Sequence, residues 1–578
     1  MNAAVVLIIS LVVLAMGYIF YGGWLVKQWG IDPEKKTPAH ELKDGLDYFP
    51  AKTPVLMGHH FSSIAGAGPI NGPIQAAVFG WVPAFLWIVI GGVFVGGVHD
   101  FGALFASIRH KGRSIGVVID DTMGKVAKKL FIIFAYLTLL LVVAAFASIV
   151  ASTFGNTNAL GIPVVGAALE ANQSTAMISL LFIVLAIIFG VAVYRKNVSI
   201  GPASFIGVLG ICGIIAIGLN WHPLSLSYST WMWVLGVYIL IASVTPVWIL
   251  LQPRDYLSSF LLYFMIIISI VGIIGAAFAG KANLDIPSFT GFTAPKSNGL
   301  FAQGTLFPAL FVTIACGAIS GFHSLVSSGT TAKQIDSERD AKPVGYGAML
   351  IECVLAIISL CAVGYVWSNA SSAHPTLTSP TAVFASGISK MIGTFIGSEQ
   401  AVTVAFSMLI LAVSVFCLTS LDTATRLARY MFQEFWLEKG EDPADVTGFR
   451  KVIINPYVST LITVILGISL GMTGYAKIWP LFGAANQLLA ALGLLAVCAW
   501  LGSIGKNNKM FYVPMVFMLV VTVSSLVQTI MAKMGAAKAG VDPLWSYIQS
   551  GIGVLLIILA IALAVTSFKT LKKGKTAA

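Results

Sequence analysis

Seven acidic or histidine side chains interrupt the apolar stretches of this 578-residue chain: His59, His60, His99, Asp100, His323, Glu352 and Asp422. The sequence holds 23 acidic residues and eight histidines, so most of its titratable groups avoid such surroundings. A titratable group inside an apolar run is expensive and marks function by default. Imidazole exchanges protons near neutrality, so proton carriage is the chemistry these types suit. His59 and His60 point to different sides of a helix; one is expected to be functional and the other to cap or pack. His99 and Asp100 either join the same group or hydrogen-bond a basic inner loop. Glu352 is either a coupling acid or the partner of Arg339 or Lys342. Thr419 and Thr423 share one helical face, and Asp422 stands four residues before Arg426, which allows a helix salt bridge. His59, His60, His99 and Asp100 together could ligate a metal, but no H-x-x-x-H spacing is present. The expectation is no metal and no cofactor.

The elements that must hold these groups follow from composition. The chain is 57% hydrophobic and 10% charged, with a mean hydropathy of +0.90. A soluble domain carries about 25% charged residues. A soluble enzyme, a nucleic-acid binder and a disordered scaffold are therefore excluded, and an integral membrane protein is expected. The six cysteines sit in apolar runs without C-x-x-C pairs, and read as buried, unbridged thiols. The N-terminus has no basic region ahead of its apolar run, and reads as a retained helix.

About 20 apolar residues cross a bilayer core. Such runs number about 15: 3–28, 54–80, 82–109, 128–154, 176–195, 200–219, 231–250, 256–280, 305–331, 344–368, 398–432, 453–472, 477–500, 511–533 and 545–568. Alternating the connecting loops places 28 of the 34 Lys and Arg on one side and 6 on the other. By the positive-inside rule the first side is cytoplasmic. The N-terminus is then outside and the C-terminus inside, and the net charge of +11 is a topology signal rather than a nucleic-acid footprint. The expected organisation is an extra helix and loop at 1–53, halves at 54–280 and 305–568, and a basic tail at 569–578.

Two spans are abnormal. GHHFSSIAGAGPINGP (Gly58–Pro73) and ACGAISGFHSLVSSG (Ala315–Gly329) put glycine, proline and small residues at bilayer depth. Backbone freed there persists only when buried in protein or lining a cavity. The first span runs inside to outside and the second the reverse. Their followers match in order: 82–109 with 344–368, 128–154 with 398–432, 176–195/200–219 with 453–472/477–500, and 231–250/256–280 with 511–533/545–568. Discontinuous helices at corresponding places in inverted halves point to a secondary transporter's binding site. The predicted fold is thus all-α and polytopic, an inverted repeat of the five-plus-five type with two discontinuous helices. Substrate would sit between Ala65–Asn71 and Cys316–Gly321, on Ser63, Ala65, Gly66, Gly68, Asn71, Gly317, Ser320 and Gly321. His59, His60, His323, Asp422 and Glu352 are the coupling candidates. Thr419, Ser420 and Thr423 are expected to face the first broken helix and form a cation or proton site with its carbonyls. Asn486 and Gln487 are expected to bridge helices, and Arg254 and Asp255 to brace two helices from a short inner loop.

GHHFSSIAGAGPINGP, GGVHDFGALFASIRHKGRSI, LLQPRDYLS, ACGAISGFHSLVSSGTTAKQ, GYGAMLIEC, LTSLDTATRLARY and IWPLFGAANQLLA resemble the carbon starvation protein A family, from Gly58 to Leu489. The chain is similar to its shorter members. The resemblance implies an inner-membrane transporter induced by nutrient limitation, associated with peptide uptake and, in some members, with proton-coupled pyruvate uptake. It also implies the amino acid–polyamine–organocation superfamily. It assigns no substrate residues. The expected function is proton-coupled import of small carboxylate-bearing nutrients by alternating access, with small molecules and membrane lipid as partners. Sodium coupling, a channel and a membrane metalloenzyme are the alternatives.

Overall fold

The computed structural model describes all residues except 45–47, 295–299, 372–376, 378, 439, 440, 442–444, 541, 577 and 578, and no side chain of 167, 194 or 567–576. Lys296, Lys439 and the basic side chains of the tail lie outside the described residues. The protein is all-α. Among the described residues, twelve helices are long and apolar enough to cross a membrane. Tyr228–Val244 and Pro456–Gly471 are apolar but shorter, and the segment 54–80 is split between shorter helices.

In chain order the helices that matter are α1 (Ala3–Trp29), α2 (Thr53–Ala65), α3 (Gly68–Ala76), α4 (Trp81–Arg109) and α5 (Lys125–Phe154). There follow α6 (Ala167–Gly190), α7 (Ile200–Asn220), α8 (Tyr228–Val244) and α9 (Leu251–Phe278). The second half holds α10 (Leu306–Ile314), α11 (Gly321–Gly329), α12 (Glu338–Tyr365), α13 (Pro380–Ile396) and α14 (Glu399–Trp436). The chain continues through α15 (Pro456–Gly471), α16 (Tyr475–Ser503), α17 (Lys509–Lys538) and α18 (Pro543–Thr576). The sequence reading had no counterpart for α13, whose seventeen residues carry no long apolar run.

Both expected discontinuities are present. Between α2 and α3 the chain turns at Gly66, at φ +33° and ψ −158°, a conformation that glycine alone adopts readily. Pro69 follows in the first turn of α3, where a missing N–H costs nothing. Between α10 and α11 the turn falls on Ala315, at φ +43° and ψ −120°. A short 3₁₀ turn, Ala315–Gly317, and an extended Ser320 complete that break. A side-chain-bearing residue in this region stores roughly 1–3 kcal/mol of strain and persists only where its surroundings enforce it.

Packing explains which helices lie deepest. The long helices α5 and α14 run together along the centre, and α2 lies against α9 and α14 while α11 lies against α16 and α4. The apolar window of α16 is 100% buried, that of α7 only 17%, so α16 is core and α7 faces lipid. One expectation from chain order needs correction. The short helices α8 and α15 pack on each other and both rest on α5 and α14. Helix α9 supports the first broken helix as α16 supports the second. Position therefore pairs α8–α9 with α15–α16, leaving α6–α7 as a peripheral hairpin and α17–α18 as a trailing one. Each half then holds five segments, the first of them broken. Spacing in sequence misled because the inserted hairpin is as apolar as the helix pair it displaces.

Candidate functional site

The two breaks press directly on each other. A Cβ on Gly68 would lie 2.5 Å from Cys316 Cβ and 2.6 Å from its Sγ. One on Gly72 would strike the carbonyl oxygens of Thr313 and Ile314, and one on Gly317 would come within 3.6 Å of Pro73. Gly66 is confined by Phe146 and Ser420. Small residues are needed here because backbone meets backbone.

Freed main-chain groups at each break find partners on the surrounding helices, as burial requires. Ser420 Oγ on α14 donates to the Ser63 carbonyl near the end of α2, over 3.1 Å. At the second break, Asn486 Oδ1 on α16 accepts the Phe322 N–H at 2.9 Å, acting as an N-cap supplied by another helix. Gln487 Nε2 donates to the Ile319 carbonyl at 2.9 Å, and Asn486 Nδ2 donates to Ser320 Oγ at 3.0 Å. The bridging role expected of Asn486 and Gln487 is present.

Beside the first break, α2, α8, α9 and α14 enclose one polar cluster. His59 Nδ1 stands 2.8 Å from Asp255 Oδ2, and Ser63 Oγ donates to the same oxygen at 3.2 Å. The next residue, Arg254, forms an ion pair with Asp422. Tyr238 OH donates to that carboxylate at 2.6 Å, and Arg254 reaches Thr419 Oγ1 at 3.4 Å and the Val415 carbonyl at 3.5 Å. All these groups except the half-buried Tyr238 are buried, so the charges are fixed by geometry rather than screened by water. Two expectations fail here. Arg254 and Asp255 stand near the start of α9, not in a loop. Asp422 pairs with Arg254 rather than Arg426, whose guanidinium donates instead to the Ala242 and Thr245 carbonyls.

A second buried cluster lies beside the other break, between α4, α11 and α12. Asp100 bridges two imidazoles, His99 Nδ1 and His323 Nδ1, each at 2.7 Å. Glu352 Oε2 lies 3.3 Å from His323 Nε2; neither Arg339 nor Lys342 is its partner. Asp100 likewise binds histidines rather than a basic loop. His60 Nδ1 meets Thr331 Oγ1 at 2.8 Å, so His59 and His60 do point apart, and His59, His60, His99 and Asp100 do not converge on one point. Of the remaining candidates, Asn71 Oδ1 and Thr423 Oγ1 are buried without hydrogen-bond partners, Ala65 is buried at the end of α2, and Gly321 is wedged against the α16 backbone. Sequence reasoning missed Tyr238 and the carboxylate of Asp255 as members of the first cluster. All six cysteines are free, as expected, although Cys212 is exposed rather than buried.

A family model described as carbon starvation protein CstA matches residues 2–376 and 367–525. The chain is 35% identical over 532 residues to the peptide transporter CstA of Bacillus subtilis, covering 86% of this chain and 84% of that one. It is 30% identical over 610 residues to the pyruvate/proton symporter BtsT of Escherichia coli, covering 91% and 81%. Among solved structures, a histidine-to-alanine mutant of the Eremococcus coleocola manganese transporter aligns with a TM-score of 0.50 at 12% identity, over 92% of this chain and 99% of that one. That last likeness is one of fold alone.

Proposed function

The chain belongs to the carbon starvation protein CstA family, and from that premise we propose that it is a secondary active transporter importing small carboxylate-bearing nutrients, peptides or pyruvate, coupled to protons by alternating access. The observation that carries this reading is the contact of two discontinuous helices, Gly66–Gly68 against Ala315–Gly321, each tied to the scaffold by side chains and each flanked by buried ionisable groups. Substrate would bind where the breaks part. The α11 N-terminus and the start of α3 would offer N–H groups to a carboxylate, with Ser63, Asn71 and Ser320 alongside. His59 with Asp255, and Asp422 with Arg254, would carry the coupling on one side; His60, His323 and Glu352 remain candidates on the other.

Protons are favoured over sodium by one feature. Thr419, Asp422 and the Val415 carbonyl are oxygen ligands of the kind a sodium ion takes, and the Arg254 guanidinium already lies among them. A fixed cation there leaves no vacancy for a mobile one. Transporter names on the matched relatives set the enzyme reading aside. We further propose halves at 54–280 and 305–568 within an amino acid–polyamine–organocation-type core, in the inner membrane. The N-terminus would be outside and the C-terminus cytoplasmic, on the basic-residue asymmetry.

The test is uptake of labelled pyruvate and dipeptides into proteoliposomes under imposed gradients. An inward proton gradient is expected to drive accumulation, and a sodium gradient to change nothing. Uptake that ignores the proton gradient, or follows sodium, would refute the coupling.

A further inference from the structure

Three donor atoms of different chemistry converge beside the second break. Cys316, His323 and Glu352 are buried, and each offers an atom within 4.8 Å of the others. Neither carboxylate oxygen of Glu352 has a hydrogen-bond partner, nor has His323 Nε2, although that nitrogen faces Glu352 Oε2 at 3.3 Å. Buried polar groups are normally satisfied, so an ion pair that lacks hydrogen-bond geometry beside a Glu352 Oε1 with no partner is a second sign of a missing ligand, with Cys316 Sγ held nearby by Ser320 Oγ at 3.3 Å. The far side of the ring is occupied: His323 Nδ1 meets Asp100 Oδ2 at 2.7 Å. A carboxylate holding the Nδ1–H of an imidazole presents the Nε2 lone pair outward, which is how metal-ligating histidines are oriented.

We propose that Cys316 Sγ, His323 Nε2 and a carboxylate oxygen of Glu352 form a binding site for one divalent transition-metal ion of the zinc class, with Asp100 as its positioning residue. Thiolate and imidazole select a borderline-soft ion and disfavour magnesium and calcium, which take oxygen ligands. Zinc bonds of about 2.0–2.3 Å put tetrahedral ligand atoms roughly 3.5 Å apart, so the donors need to close by about 1 Å. Three protein ligands leave a fourth position open. The ion would tie the second break and α11 to α12. Because Gly68 rests on Cys316, it would also hold the two breaks in contact. The site stands on this donor geometry and does not depend on the transport reading.

The test uses the full chain purified in detergent and stripped with chelator, with Co²⁺ and Zn²⁺ as probes. Expected are one metal ion per chain and a thiolate-to-cobalt charge-transfer band in the near ultraviolet. Cys316→Ser should abolish the band, Cys498→Ser should leave it intact, and Glu352→Gln should weaken binding. Asp100→Asn should retain the band while lowering affinity about 10–100-fold, the usual effect of losing such a support. Absence of the band in the wild-type chain would overturn the proposal whatever the variants do. Zn²⁺ affinity unchanged by Cys316→Ser and Glu352→Gln would overturn it as well.

Discussion

Replacing Gly68 by alanine probes the contact on which the account turns. The new Cβ would sit 2.5 Å from Cys316 Cβ and 2.6 Å from its Sγ, whereas carbon atoms pack best at about 3.5–4.0 Å. One break must therefore retreat by about 1 Å, and overpacking of this kind costs about 1–3 kcal/mol. The nearer atom is Cβ, which makes the rescue pattern specific. Cys316→Ala removes only the sulfur clash and should restore stability in part. Cys316→Gly removes both contacts and should restore most of it, read as a favourable interaction energy in a double-mutant cycle. Gly72→Ala is the internal control. It meets the Thr313 and Ile314 carbonyl oxygens, so no change at Cys316 should rescue it. Thermal unfolding of the purified chain and proteoliposome uptake give the two readouts. Should Gly68→Ala match the wild type in both, or gain nothing from Cys316→Gly, the direct apposition of the breaks is wrong.

Other expectations follow from single contacts. Asp422→Asn leaves Arg254 buried without its counter-charge and should destabilise by about 3–5 kcal/mol; joint replacement of Arg254 and Asp422 by apolar residues should cost less than either single change, measured by thermal midpoint. Asn486→Ala removes the cap of α11 and should cost about 0.5–2 kcal/mol, again by midpoint, and a neutral result would deny Asn486 that role. His59→Gln should reduce uptake more than His60→Gln, because His59 faces Asp255 while His60 faces only a hydroxyl; equal effects would count against the assignment. At the membrane edge, the hydrogen bond from Lys477 holds the Asp542 carboxyl below its ordinary value of 3.8. A depressed carboxyl stabilises above its unfolded value, and that contribution fades as pH falls through the folded one. Hydrogen exchange in the first turn of α18 should therefore stay unchanged from neutrality to about pH 4 and rise only below that; loosening well above it would contradict the pairing.

The sequence made local anomalies legible and left remote partners hidden. Glycine and proline at Gly58–Pro73 and the small residues at Ala315–Gly329 mark the breaks because no continuous helix tolerates them cheaply. The differing directions of His59 and His60 follow from helical geometry alone. Arg254 and Asp422, by contrast, stand 168 residues apart, and His323 and Asp100 stand 223 apart. Helical periodicity reports neighbours at three and four residues, so it offered Arg426 to Asp422, while closeness along the chain offered Arg339 or Lys342 to Glu352. Both gave way to partners chosen by tertiary packing. The correspondence of halves failed for a related reason: α6–α7 and α8–α9 are equally apolar, and only their contacts separate an inserted hairpin from a repeat element.

Cys316 itself offers the most direct measurement, since it lies at the second break and is buried in the closed contact. In proteoliposomes holding a chain with the other five cysteines replaced by serine, and with chelator present, its alkylation rate can be followed with and without pyruvate or a dipeptide. Slow labelling is expected as the breaks part, with protection by whichever solute is transported. Labelling only after denaturation, or at a rate indifferent to every transported solute, would contradict a binding site between the two broken helices.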